Sequence, residues 1–203
     1  MRKTNILMAV AALSTVSAAS VAAQTPDRQG FYADVGANYS WPSNELKDGG
    51  SVTDHQAGVA WTLGIGTGLK NNKVRIGLQA DYLKTTDVFK NDLGPGVDGE
   101  IWMYSAAIAF YPKPEKDMWV KVNLGYGTNK LSGSGESASA GGFMAGLTVG
   151  IDVPVGKGGF VIDPYLGYLD TFSTGDYDGA LSGEGIKGSF NMFQVGVTLG
   201  YKH

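Results

Sequence analysis

The chain has 203 residues, a formal net charge of −3 at pH 7 and no cysteine, which excludes disulfides, thiolate metal sites and thiol catalysis. Its 16 Lys and Arg are outnumbered by 19 Asp and Glu and form no basic cluster for phosphates, so nucleic acid is excluded as a partner. The length suits one domain, and the 31 glycines are scattered without a Gly-X-Y period, which excludes a collagen-like chain.

Residues 1–23 read as a cleaved signal peptide. Arg2 and Lys3 precede an apolar run, Ile6 to Val16, too short to span a bilayer, and Ser17 to Ala23 is rich in small residues. Cleavage is expected after Ala23, with no lipid attached because no cysteine can carry one. Residues 24–203 are then the mature domain. Nothing after Ala23 is apolar for long enough to make a transmembrane helix, so entry into a membrane has to be by strands.

The mature sequence alternates with period two, the mark of strands with two different faces. The first segment sets Phe31, Ala33, Val35, Ala37, Tyr39 and Trp41 against Tyr32, Asp34, Gly36, Asn38 and Ser40. The second sets Ala57, Val59, Trp61, Leu63, Ile65, Thr67 and Leu69 against small residues from Gly58 to Gly68. The third opposes Val74, Ile76, Leu78, Ala80 and Tyr82 to Arg75, Gly77, Gln79 and Asp81. In the fourth, Trp102, Tyr104, Ala106, Ile108 and Phe110 oppose Met103, Ser105, Ala107 and Ala109. The fifth has Val120, Val122, Leu124 and Tyr126 against Lys121, Asn123, Gly125 and Gly127. In the sixth, Phe143, Ala145, Leu147, Val149, Ile151 and Val153 oppose Gly146, Thr148, Gly150 and Asp152. The seventh, less regular, sets Phe160, Ile162, Pro164, Leu166 and Tyr168 against Asp163, Tyr165 and Gly167. The last sets Phe193, Val195, Val197, Leu199 and Tyr201 against Gln194, Gly196, Thr198 and Gly200.

Runs of about nine to thirteen residues match tilted strands that cross hydrocarbon. The second face is mostly Gly, Ala, Ser and Thr with a few charges, a poor surface for water but a good filling for a narrow barrel. The apolar face is therefore expected outside, in lipid, with closure satisfying every backbone group. The fold class is all-β: an eight-stranded antiparallel up-and-down transmembrane barrel. Short connections fall at Lys70 to Asn72, Pro112 to Asp117 and Pro154 to Gly159. Long ones are expected at Pro42 to Asp54, Thr85 to Gly99, Lys130 to Gly141 and Thr171 to Gly188. Short periplasmic turns and long extracellular loops are the outer-membrane pattern, and an even strand count puts both termini in the periplasm. Tyr39, Trp41, Trp61, Tyr82, Trp102, Tyr104, Tyr126, Phe143, Tyr168 and Phe193 then lie toward the outer interface. Phe31, Phe110, Phe160 and Tyr201 lie toward the periplasmic one, making two aromatic girdles.

With Pro164-Tyr165-Leu166-Gly167-Tyr168 and the closing strand Phe193 to Tyr201, the mature chain resembles the small eight-stranded outer-membrane barrels: the OmpA transmembrane domain, OmpX and the opacity-type proteins. The resemblance implies that Phe193, Val195, Val197, Leu199 and Tyr201 form the assembly signal read by the barrel-assembly machinery. Lys202 and His203 depart from it, since members often end on the aromatic. No peptidoglycan-binding segment accompanies the barrel, so an anchoring role is not expected.

The inward charges Asp34, Arg75, Asp81, Lys121, Asp152 and Asp163 are the main candidate site, read as an internal pairing network that plugs the barrel rather than as an ion path. Gly64 to Gly68 and Gly156 to Gly159 precede no helix and so lack a phosphate-cradling geometry. A catalytic role is not expected: His55 and His203 are the two histidines, and with Ser51 they make no triad. No cofactor or metal is expected, because Asp176 and Asp178 lack the further ligands of a calcium loop. The expected function is a structural or surface-interaction barrel in contact with outer-membrane lipid, lipopolysaccharide and a host or phage ligand. The alternatives are a narrow pore, a conduit for small hydrophobic molecules as in OmpW-like barrels, and a lipid A-modifying enzyme at the outer rim.

Overall fold

The computed structural model describes residues 28–47, 51–69, 73–90, 95–113, 116–156, 158–172, 175–179 and 186–202; the signal segment, the turn Lys70 to Asn72 and His203 fall outside them. Eight long strands form the wall: β1 (Gly30–Lys47), β2 (Gly58–Gly68), β3 (Val74–Thr85), β4 (Asp98–Phe110), β5 (Met118–Gly133), β6 (Glu136–Ile151), β7 (Phe160–Thr171) and β8 (Lys187–Lys202). Each pairs antiparallel with the next, and β8 pairs with β1 from Tyr32↔Lys202 to Lys47↔Lys187, which closes the sheet into a barrel. Closure leaves no long edge with unpaired backbone groups.

The side-chain pattern is that of a soluble protein turned inside out. Leu78 and Phe143 are each 63% exposed on the outer face, whereas Asp81 and Asn123 are 1% exposed inside. Period two produces this directly: one parity of every strand meets the surroundings and the other meets the lumen.

The loop boundaries differ from those expected. Lys130 to Gly141 is not a long loop, because β5 and β6 run on to a tight hairpin at Ser134-Gly135, both with positive φ (52° and 85°), the conformation of a two-residue type I′ turn. Pro42 to Asp54 is likewise largely strand, since β1 continues to Lys47 and Ser51–Asp54 returns against it. Alternation marks only the stretch where the two faces meet different media. Above it the ladder persists, but the apolar side chains Leu131, Ala138 and Ala140 move to the inner face and the outer face turns polar.

The described parts of the other two long connections fold inward. Val88 and Phe89, between β3 and β4, are buried. After β7, Gly175–Asp176 pairs with β8 and Asp178–Gly179 with β6, and Tyr177 between them is buried against Val88, Phe89, Leu131, Ala138 and Ala140. These side chains cap the loop end of the barrel, opposite the turn end where the chain's two described ends lie.

Candidate functional site

The lumen is built in layers. At the turn end, Asp152 follows β6 and Asp163 lies on β7. The ladders on either side, Gly150↔Tyr165 and Val153↔Ile162, set these two carboxylates across from each other. Like charges directly opposite repel, and Lys202 offsets this by sitting between them, 2.8 Å from Asp152 Oδ1 and 3.2 Å from Asp163 Oδ2. Arg75 Nη1 lies 3.6 Å from Asp152 Oδ2 and donates to the Tyr111 hydroxyl at 2.6 Å, which in turn donates to Asp152 at 3.2 Å. Arg28 closes the cluster: its Nε is 3.4 Å from Asp152, its Nη2 pairs with Asp117, and its guanidinium stacks 4.2 Å from the Tyr111 ring centroid. In the turn, burial raises the Asp117 carboxyl above the usual carboxylate range, against the opposing pull of Arg28.

The next layer is neutral and polar except for one relay. Lys121 Nζ donates to Gln79 Oε1 at 2.6 Å, and Gln79 Nε2 donates to Asp81 at 2.8 Å. Thr62 donates to the same carboxylate at 2.5 Å and accepts from Asn38. Asn123 Nδ2 donates to Ser105 at 3.0 Å. These buried polar groups thus gain partners that a dry interior would otherwise deny them.

Toward the loop end the lumen turns apolar: Ala60, Leu83, Ile101, Met103, Met144, Leu169, Phe190 and Met192 form one buried cluster. An inner face mostly of Gly, Ala, Ser, Thr and charges is therefore incorrect for this half. The recognisable alternation of the third segment stops at Tyr82, and the same parity carried onward puts Leu83 and the bulky residues level with it inside. Several inward glycines do not open space either. A methyl on Gly196 would sit 2.7 Å from the Tyr165 ring, one on Gly127 2.7 Å from Phe190, and one on Gly66 2.7 Å from Tyr32. These glycines are sockets for large rings, from the neighbouring strand at Gly196 and Gly66 and from across the lumen at Gly127. Gly196→Val is accordingly expected to lower stability by about 1–3 kcal/mol through overpacking, read from the urea midpoint of the refolded barrel. Ala106→Leu on the outer face should leave that midpoint within about 0.5 kcal/mol of the wild type.

The outward aromatics fall in two bands. Tyr82 and Trp102 lie 4.4 Å apart and Trp41 and Phe193 5.7 Å apart. Tyr126 meets Phe143 at 6.0 Å in the loop-end band, which also carries Tyr39, Trp61, Tyr104 and Tyr168. Near the turn end Phe160 packs on Tyr201 at 5.2 Å, with Phe31 and Phe110 exposed at similar depth. Val195, Val197 and Leu199 continue the outward face of β8 to Tyr201. At the rim His55 is exposed, and the neighbouring Asp54 carboxylate accepts from the Phe89 backbone N–H at 2.9 Å. Among the described residues no group of three His, Asp or Glu is arranged to hold a metal ion.

Residues 8–202 match the model of the outer membrane protein beta-barrel domain family. The chain belongs to this family. The crystal structure of Neisserial surface protein A is similar at 12% identity and a TM-score of 0.60, covering 86% of this chain and 97% of that one. OprG from Pseudomonas aeruginosa is 12% identical with a TM-score of 0.49, covering 88% and 99%. Ail from Yersinia pestis is 19% identical with a TM-score of 0.41, covering 84% and 99%. At these identities the likeness to the neisserial protein shows the fold alone. No curated protein sequence matches the chain.

For an outer-membrane barrel, the exposed aliphatic belt and buried charges are the arrangement that the surrounding lipid requires. Of the six inward charges singled out in the sequence, Arg75, Asp152 and Asp163 come together at the turn end, and Lys121 joins Asp81 through Gln79. Asp34 lies over Gly64 on the wall of a small cavity between these groups. Sequence reasoning missed Arg28, Tyr111, Asp117 and Lys202. Two of them were available by parity. Position 202 continues the even, inward face of β8, and position 28 continues that of Tyr32 and Asp34.

Proposed function

We propose that this outer-membrane barrel works as a structural and surface-interaction protein rather than as a channel. The observation that carries the reading is the filled lumen: an ion cluster, a polar layer, an apolar layer and a cap succeed one another along its length. The cavity near Arg75 is small, with room for about three waters. Refolded protein in planar bilayers is expected to give no unitary conductance. Reproducible steps altered by Asp81→Ala or Lys121→Ala would establish a pore instead.

In this reading the signal segment directs Sec export and is cleaved after Ala23, the turn end and both termini face the periplasm, and the loop end faces outward. The two aromatic bands mark the membrane interfaces, where amphipathic rings are favoured. The outward face of β8 from Phe193 to Tyr201 serves the assembly machinery. The hairpin of β5 and β6 extends the wall for seven residues beyond Tyr126, about 23 Å along the strand. It gives lipopolysaccharide and a host or phage surface ligand a rigid, paired platform. No catalytic step is assigned to it, and His55→Ala is expected to leave lipid A composition unchanged.

One observation favours a second reading. The apolar layer around Met103, Met144 and Met192 is the lining that a conduit for small hydrophobic molecules would need, and methionine side chains repack readily. Uptake of an apolar dye into vesicles containing the barrel, compared with empty vesicles, separates the two.

A further inference from the structure

Arg75 uses one side of its guanidinium for Tyr111 and Asp152, both through Nη1. Its Nε and Nη2, which share the opposite edge, are buried and bond to nothing among the described residues, although the side chain is only 5% exposed. That edge carries two parallel N–H donors, the fork that takes a carboxylate bidentately. The guanidinium lies 5.4 Å from the Tyr32 ring centroid and 5.1 Å from that of Tyr111, which holds its plane. Arg75 lines the cavity described above together with Asp34, whose carboxylate makes no hydrogen bond or ion pair among the described residues.

The charges decide which ligand suits. Arg28, Arg75 and Lys202 are matched by Asp117, Asp152 and Asp163, and Lys121 is matched by Asp81 through Gln79. Asp34 is the one carboxylate left over in the described lumen. A plain anion on the Arg75 edge would meet its repulsion, and a plain cation on Asp34 would leave the Arg75 donors unsatisfied, which is costly in a buried site. A molecule with both charges answers both groups. We propose that the turn-end cavity is a binding site for a small zwitterion of the α-amino acid class, its carboxylate on the Arg75 Nε/Nη2 edge and its ammonium on Asp34. Room for about three waters corresponds to about 90 Å³ of liquid, which limits the ligand to the smallest members, glycine first. The apolar layer above closes the lumen, so the way in is from the turn end, past the buried Arg28–Asp152–Lys202 cluster. The site rests on the filled-lumen reading only for that direction of entry.

The test uses the full barrel refolded in micelles with ¹⁵N-labelled arginine. The Arg75 Nε–H resonance is followed while glycine, acetate or methylammonium is added. Glycine is expected to move it saturably, with acetate and methylammonium at least tenfold weaker, and Asp34→Asn to weaken glycine at least tenfold while keeping heat-modifiable mobility. An unmoved resonance would mean that the cavity takes water only and overturns the site. So does acetate binding as well as glycine, or Asp34→Asn binding like the wild type. If Asp34→Asn does not fold, the comparison of the three ligands on the wild type still decides. A conducting barrel in the bilayer experiment would overturn the filled-lumen reading without touching these titrations.

Discussion

Asp152→Ala is expected to cost the folded barrel about 3–5 kcal/mol, the penalty of removing one partner from a buried ion cluster. Asp152 is 2% exposed and faces three cations, Arg28, Arg75 and Lys202, whose side chains are themselves at most 5% exposed. Its loss leaves Asp163 and Asp117 to hold what three carboxylates held. The measurement is the urea midpoint of unfolding from vesicles, followed by tryptophan fluorescence and by heat-modifiable mobility. Asp152→Asn should be nearly as damaging, because the amide keeps the shape without the charge. The double variant Asp152→Ala with Lys202→Met should cost less than the sum of the two single changes, since the residues share one network. Strict additivity would show that Lys202 is held by Asp163 alone. A midpoint unchanged in Asp152→Ala would show that the cluster contributes nothing to stability.

Phe190→Ala is expected to be comparably destabilising, by about 3–5 kcal/mol, for a different reason: it opens a cavity in the apolar layer. Phe190 is 3% exposed, and its backbone is pinned on both sides by Thr171, whose hydroxyl accepts from the Phe190 N–H at 2.8 Å and donates to its carbonyl at 2.7 Å. The site therefore cannot collapse easily once the ring is gone. The ring covers Gly127, so Gly127→Val in the Phe190→Ala background should recover part of the loss, whereas Gly127→Val alone should destabilise. The new space is lined by Met144 and its apolar neighbours, and apolar cavities stay dry. Conductance should remain absent in Phe190→Ala. Ion passage in that variant would mean that the apolar layer alone seals the barrel.

The strand count, the closed barrel and its inside-out orientation were legible because lipid and lumen impose opposite chemistry on alternate residues. Phe31 to Trp41 and Phe193 to Tyr201 carry that contrast without interruption. The same signal failed at Lys130 to Gly141, where the outer face turns polar and Leu131, Ala138 and Ala140 are buried inside under the cap, so the apolar parity of the lower strands is reversed. It failed again for Leu83, Phe190 and Met192, which read as ordinary apolar residues near loops until the register put them inside. Of the candidate site, Arg75, Asp152 and Asp163 could be named as inward charges. Arg28 and Lys202 could have been found by extending parity past the ends of the recognisable runs.

What the sequence by itself determined is the alternation, and with it which side of each strand faces lipid. That depends on neighbours two residues apart, which every strand carries locally. Which charge meets which was decided only by the tertiary structure. Asp152 meets Lys202, 50 positions along the chain, and Arg28, 124 positions back, because barrel closure and the β6–β7 register bring them to one depth. Whether glycines make a channel or a socket was settled in the same way. It depends on the ring that a neighbouring or facing strand places over each of them, and no local pattern contains that information.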